Sequence, residues 1–321
     1  MALAAGNYNP WLPTDRRDEI GDLAKAFNEM VVQIQEAMAQ LEARVAARTR
    51  DLQIARDEIS ALNVALQQEN LRLAAEVEVG RRLQKLLVPK SEELAAIADL
   101  EVAGVVEVAD EVGGDYFDVL RYGDRVVVSI GDVTGHGFES GAISIMVQSV
   151  LRALLTLNLP QTEVLSVLNY ALYENLRRMD CDKSLTLLLL EYENGYIHLV
   201  GQHEEAVLIR GDGTVQRIDT MDLGFPLGLE SDLRGYLPVP LQQFLNPGDM
   251  LMLYTDGIPE ATNETGEFYG LERLCQRVQT HRHLTSDAIV QSVLADVRSH
   301  IGLGRVHDDI TLIVMKRRPS P

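Results

Sequence analysis

Along the first quarter of the chain, apolar positions recur every three or four residues; beyond about residue 100 they gather into short runs bounded by glycine and acid. From Asp18 to about Leu87 there is no proline and charge fills the gaps between apolar positions, which predicts one long helix with a single apolar seam. Phe27, Met30, Ile34, Ala37 and Leu41 fit one heptad frame, and Leu52, Ala55, Ile59, Leu62, Leu66 and Leu73 fit another. Leu41 to Leu52 is eleven residues, a heptad plus four, so the frames are joined by a stutter that locally unwinds a left-handed supercoil. The two frames are either alternatives in rotation or the mark of an irregular linker. Such a seam needs a partner, and a parallel dimeric coiled coil is expected. Pro89 ends the helix, because the residue before a proline is pushed out of the αR region.

Downstream, the pattern predicts strands near 102–108, 116–122, 125–131, 185–191, 196–200, 206–209, 250–254 and 310–315. Helices are expected near 140–156, 162–177, 271–279 and 286–300. The stripe Ile143, Val147, Val150, Leu151 and Leu154 reads first as core.

Four acidic motifs border these strands: Gly113-Gly114-Asp115-Tyr116-Phe117-Asp118, Gly131-Asp132-Val133-Thr134-Gly135-His136-Gly137, Tyr254-Thr255-Asp256-Gly257-Ile258-Pro259-Glu260-Ala261 and His307-Asp308-Asp309-Ile310-Thr311. One Asp-Gly is ordinarily a turn. Four strand-end acid motifs in one domain repel one another unless something positive offsets them, and oxygen-only ligands suit Mg²⁺ or Mn²⁺. Zinc is disfavoured, since Cys181 and Cys275 lie far apart and the histidines lack ligand spacing.

Charge sharpens the division. Residues 1–90 carry 12 basic against 13 acidic side chains, and the remainder 17 against 35, so nearly all of the net −19 lies downstream. That argues against nucleic acid as a partner, because its binding surfaces are basic. Two unpaired cysteines fit a reducing cytoplasm.

The ordered set GGDYFD, GDVTGHG, YTDGIPEA and HDDIT resembles the SpoIIE-like bacterial branch of the metal-dependent Ser/Thr protein phosphatases (type 2C, or PPM) over roughly Leu100 to Lys316. Gly266-Glu267-Phe268-Tyr269-Gly270 follows the third motif in keeping with that family. The resemblance implies an α+β fold, an α-β-β-α sandwich of two antiparallel sheets flanked by helices, preceded by the coiled-coil helix. It also implies two Mn²⁺ or Mg²⁺ ions. Asp132 would bridge them and activate water, with the Val133 carbonyl nearby, while Asp115, Asp256 and Asp308 complete the site. Glu260 stands where relatives bind a third, weaker ion, and Asp118 and Asp309 are secondary candidates; Asp309 either orients Asp308 or is a solvated acid. Paired ions ~3.5 to 4 Å apart clamp the phosphoryl oxygens for in-line attack without a covalent intermediate. His136 is tempting as general acid but is set aside, because eukaryotic relatives place theirs where this chain has Thr134.

Two departures stand out: Gly201-Gln202-His203 replaces the usual Ala-Gly-His, and no arginine lies just upstream of Asp115 to hold phosphate. At the other end, Asp18-Glu19-Ile20-Gly21-Asp22-Leu23 and Phe27-Asn28-Glu29-Met30 resemble the second helix of a HAMP signalling module, with residues 5–14 as its connector. The expected organisation is a partial HAMP over 1–36, a coiled-coil signalling linker over 37–90 and the phosphatase domain over 91–321. Arg81-Arg82-Leu83-Gln84-Lys85-Leu86-Leu87-Val88-Pro89 resembles the linker that precedes SpoIIE-like domains. A histidine kinase is excluded, since no histidine precedes His136. No run approaches the ~20 apolar residues of a membrane span. The chain is therefore expected to be the cytoplasmic part of a sensor attached to a membrane only through an upstream segment. Its expected partner is a phosphorylated STAS-type anti-sigma-factor antagonist; the competing class is a catalytically silent module that binds such a partner.

Overall fold

Sixty-nine consecutive residues, Glu19–Leu87, form helix α1 in the computed structural model, which describes residues 11–319 except Arg16, Asp110, Glu111, His136, Arg234 and Leu237. The start of the expected HAMP connector and His136 thus lie outside the described residues. The chain divides into two units, Met1–Ala74 and Ala75–Pro321. The linker was expected to run to residue 90; by packing, the last turns of α1 belong to the second unit.

In the first unit the segment before α1 returns along its opening turns. Asn28 is buried, donating to the Leu12 carbonyl at 2.9 Å and accepting from the Leu12 amide at 3.0 Å, with Ala24 and Val31 buried on the same helix. Farther along, the seam is open to solvent: Leu41, Leu52, Ile59, Leu62, Leu66 and Leu73 are all exposed. These positions form an exposed apolar seam along α1.

The second unit continues with α2 (Ser91–Ala95), β1 (Leu100–Glu107), β2 (Tyr116–Tyr122), β3 (Arg125–Val133), α3 (Phe138–Leu155), α4 (Gln161–Met179), β4 (Leu185–Glu193), β5 (Tyr196–Val200), β6 (Ala206–Ile209) and β7 (Val215–Ile218). After these come β8 (Leu241–Phe244), β9 (Met250–Tyr254), α5 (Leu271–Thr280), α6 (Ser286–Ile301) and β10 (Ile310–Arg317). Two five-stranded antiparallel sheets result, ordered β1-β10-β9-β6-β7 and β2-β3-β4-β5-β8. Phe117, Val128, Ile130, Leu188 and Leu190 from one sheet meet Leu208, Leu251, Leu253 and Ile313 from the other in the central core. On the outer faces, α3 and α4 cover the second sheet and α5 and α6 the first. The expected α-β-β-α sandwich is the fold.

Helix α3 qualifies by length and apolarity as a membrane span, contrary to the expectation that no such run exists. Its setting is that of a core helix, with Ile143, Val147 and Leu151 buried against the sheet and α4, and Val150 and Leu154 packed at the margin.

Candidate active site

Strand register brings the acids together. Tyr116 pairs with Gly131, so Asp115, one residue before, stands across from Asp132. In the other sheet Tyr254 pairs with Leu312, which sets Asp256, just past the end of β9, beside Asp308 and Asp309, just before β10. Each pair belongs to one sheet, and stacking joins the pairs. Asp115 Oδ2 accepts from Thr255 Oγ1 at 2.8 Å and from Thr311 Oγ1 at 2.6 Å, both on the opposite sheet. The Thr255 hydroxyl also receives the Thr311 amide at 2.9 Å.

Glycine makes this closeness feasible. A Cβ on Gly114 would lie 2.5 Å from the Val133 carbonyl oxygen and 2.9 Å from Asp132 Oδ1. One on Gly257 would lie 1.9 Å from the Asp309 carbonyl oxygen. A side chain at either position would force the acid-bearing loops apart.

The electrostatics are those of crowded, uncompensated carboxylates. Burial, then Asp256, Asp308, Asp309 and Glu204, push Asp132 up to about 8. Burial and the neighbouring Asp132 hold Asp115 well above the ordinary range, although the Thr311 and Thr255 hydroxyls pull the other way. Asp256 is raised by burial, Asp308 and Glu260. Among the described residues none of these acids has an ion pair with Lys, Arg or His. Lys183, beside the second motif, donates its Nζ to the Thr134 carbonyl and the Ser140 hydroxyl, each at 2.9 Å.

Asp118 stands apart from the group. Its two oxygens take Arg152 Nε at 2.6 Å and Nη2 at 3.0 Å, and it is buried on β2 as half of an ion pair rather than as a metal ligand. Asp309 is neither solvated nor simply a prop for Asp308: its carboxylate accepts from the Ala109 amide at 2.9 Å and the Asp115 amide at 3.4 Å, bracing the loop that carries Asp115. Its own amide donates to Asp308 Oδ1 at 2.8 Å. Glu260 sits one turn beyond Asp256, its amide on the Asp256 carbonyl at 2.9 Å, and with Asp308 and Gly257 it lines a cavity of about 240 Å³ that also includes Arg305 and His307. A cavity of about 790 Å³ between α4 and Ser231, Asp232, Pro238, Val239 and Pro240 includes none of these acids.

Sequence reasoning missed Thr255, Thr311 and Glu204. The threonines stood inside quoted motifs, and only strand alternation, which turns both toward the sheet interface, could have singled them out. Glu204 follows the variant Gly201-Gln202-His203 and reaches the acids only through the fold; burial, Asp256 and Glu260 raise its carboxyl.

The sequence profile described as Stage II sporulation protein E (SpoIIE) matches residues 122–318, and that of the HAMP domain matches residues 1–36. The chain belongs to the SpoIIE family. Phosphoserine phosphatase RsbU of Bacillus subtilis is 24% identical over 261 residues, covering 79% of this chain and 72% of RsbU. Protein IcfG of Synechocystis is 24% identical over 354 aligned positions, spanning 99% of this chain but half of IcfG. The SiaA-PP2C domain of Pseudomonas aeruginosa superposes with a TM-score of 0.65 at 18% identity, over 78% of this chain and 99% of that domain, and so shares the fold. The SpoIIE-like and HAMP resemblances read from the motifs are thereby established, and with them a serine/threonine protein phosphatase preceded by a signalling module.

Proposed function

We propose that this SpoIIE-family chain is a signal-controlled, Mn²⁺- or Mg²⁺-dependent phosphatase that hydrolyses phosphoserine or phosphothreonine on a partner protein. The observation that carries the reading is Asp132, a carboxyl pushed up to about 8 by burial and four surrounding acids, with no cationic partner among the described residues. Such a group calls for a bound cation. The donors fit a hard one: they are all oxygens, including the Val133 carbonyl turned toward Gly114. Among the described residues no three acids already stand in ligating positions.

Asp132, Asp115, Asp256 and Asp308 would hold two ions, with Glu260 and Glu204 on the side where a third would sit. Bound there, divalent ions would polarise the phosphoryl group and lower the pKa of a water. The chain's own contribution is placement: Thr255 and Thr311 fix the Asp115 carboxylate, Asp309 braces its loop, and Gly114 admits the Val133 carbonyl. Asp118 has no part in this. RsbU is a phosphoserine phosphatase, which supports a phosphoserine substrate; the motif resemblance is what suggests a STAS-type antagonist or a similar small partner-switching protein. The HAMP match and the exposed seam of α1 support a homodimer that receives its signal through the helix, as the cytoplasmic part of a membrane-attached sensor.

The test is phosphate release from a phosphoserine protein with Mn²⁺ and with chelator, comparing wild type with Asp132→Asn. Turnover that needs both metal and Asp132 is expected. Wild-type silence in Mn²⁺, joined to partner binding indifferent to Asp132→Asn, would instead make the chain a binding module.

A further inference from the structure

A phosphorylated substrate has to approach a site crowded with negative charge. Five aspartates and two glutamates gather there, seven charges against the four of two divalent ions. A phosphoryl dianion therefore gains from a fixed cation at the rim. Arg305 is such a cation. With Gly257, Glu260, Phe268, His307 and Asp308 it lines the cavity of about 240 Å³ at the edge of the acid cluster. It is exposed, and among the described residues it makes neither an ion pair nor a hydrogen bond, although Glu260 and Asp308 share the same cavity wall. Other arginines of this region are engaged: Arg298 on α6 pairs with Glu107, and Arg273 on α5 with Asp296. A free guanidinium presents its donors as a planar fork, which suits two oxygens of one phosphoryl group.

Local structure holds both walls of the cavity. Helix α6 stops at Gly302, whose φ of +67° turns the chain out of the helix, and the Gly304 amide closes on the Ile301 carbonyl at 3.2 Å just before Arg305. On the facing wall the Asn263 amide donates to the Glu267 carbonyl at 3.1 Å and the Tyr269 amide to the Ala261 carbonyl at 2.8 Å. His300 Nε2 meets the Glu267 carbonyl at 3.0 Å, and the buried Tyr269 gives its hydroxyl to Asp296 Oδ2 at 2.8 Å. With both neighbours fixed, Phe268 is turned outward and is 65% exposed; Leu303, two residues before Arg305, is 97% exposed. Large apolar side chains left bare around a cavity that reaches the acids suit contact with a protein segment.

We propose that this cavity is the subsite for the phosphoserine segment of the protein substrate, with Arg305 taking phosphoryl oxygens and Phe268 packing against the residue beside the phosphoserine. Charge and position fix the occupant. A dianion complements the free guanidinium, and the cavity shares Asp308 and Glu260 with the site of hydrolysis. No arginine stands just upstream of Asp115, so the phosphate contact comes instead from the loop before β10. The inference rests on the metal-dependent phosphatase reading above.

The test uses the full chain with Arg305→Met, Arg305→Lys, Phe268→Ala and, as a control of equal charge loss, Arg298→Met. Calorimetry measures binding of Mn²⁺, and of inorganic phosphate in Mn²⁺; kcat and KM are measured with p-nitrophenyl phosphate and with a synthetic phosphoserine peptide. Arg305→Met is expected to weaken phosphate binding and raise KM for both substrates about tenfold, the low end for a hydrogen bond to a charged group. Its kcat should move less than about threefold, as when ground-state binding is lost, and its Mn²⁺ affinity should not fall. Arg305→Lys keeps the charge without the fork and should recover part of the loss. Phe268→Ala should raise KM for the peptide at least about threefold more than KM for p-nitrophenyl phosphate. Arg298→Met should stay within about twofold of wild type throughout. Phosphate affinity and KM unchanged in Arg305→Met, or moved equally by Arg298→Met, would overturn the proposal; equal effects of Phe268→Ala on the two substrates would overturn the peptide contact. A wild type that binds phosphate through Arg305 yet hydrolyses neither substrate would leave the subsite standing and remove the phosphatase reading, whereas one that binds no phosphate in Mn²⁺ would overturn the subsite itself.

Discussion

Asp132→Asn should stabilise the metal-free protein while abolishing its activity. Burial and four neighbouring acids lift the Asp132 carboxyl from 3.8 to about 8. The folded state therefore binds this proton more tightly than the unfolded chain does, so stability from this group is present at low pH and is lost as pH rises toward about 8. At pH 7.5 the gap corresponds to nearly four pH units at about 1.36 kcal/mol each, an upper bound of roughly 5 kcal/mol. Because Asp132 is only partly buried, solvent screening lowers this to about 2 kcal/mol. Asparagine keeps the shape and removes the charge. In chelator at pH 7.5 the variant should melt about 5 °C above wild type, a shift appropriate to a unit of this size. The advantage should shrink as pH falls toward 5. Mn²⁺ should raise the melting temperature of wild type and leave the variant nearly unmoved, because the cation supplies the compensation that the mutation makes unnecessary. Thermal melting over pH, with and without Mn²⁺, alongside phosphate release, reads all of this. A variant that melts at or below wild type in chelator at every pH would refute the picture of Asp132 as an uncompensated acid.

Other consequences follow from the same structure. Thr311→Val, which deletes the 2.6 Å hydrogen bond to Asp115, should weaken Mn²⁺ binding about tenfold with little change of fold, since a hydrogen bond to a charged group is worth about 1.5–3 kcal/mol; unchanged affinity by calorimetry would count against Asp115 as a ligand. Arg152→Met strands the buried Asp118 and should cost about 2 kcal/mol in denaturant unfolding, less than a fully buried pair because Arg152 is 40% exposed, while Mn²⁺ affinity stays put; a large loss of affinity would return Asp118 to the metal site. Buried His203 is held down to about 4, so the stability it contributes is full above pH 6.5 and is lost toward pH 4. The stability difference between wild type and His203→Gln should therefore narrow by roughly 1.4 kcal/mol per pH unit over that window, and a gap independent of pH would contradict it. Light scattering should find a dimer for the full chain and a monomer after removal of residues 1–74; a monomeric full chain at micromolar concentration would dispose of the coiled-coil pairing.

Much of this protein could be read from one line of residues. Helix α1 appeared as a seam of apolar positions without proline, and the expected strands over 116–122, 196–200, 206–209 and 250–254 coincide with β2, β5, β6 and β9. These elements are specified by periodicity, a local property that survives without tertiary context. The four aspartate motifs were legible because each couples an acid to a strand end, and their order carried the family.

Elsewhere the fold decided. The polar strands Val215–Ile218 and Leu241–Phe244 were not foreseen, since each exists by pairing at the outer edge of a sheet, where half the residues face water and the hydrophobic signal fades. Asp118 and Asp115 look alike in GGDYFD, yet one meets Arg152 from α3 and the other two threonines from the opposite sheet. Gln84 stood in the sequence only as one member of the stretch Arg81–Pro89, and the unit that folds around it decides what its amide bonds. What each acid or amide does depends on what stands across from it, and residues 31 to 196 positions apart are brought opposite one another only by packing.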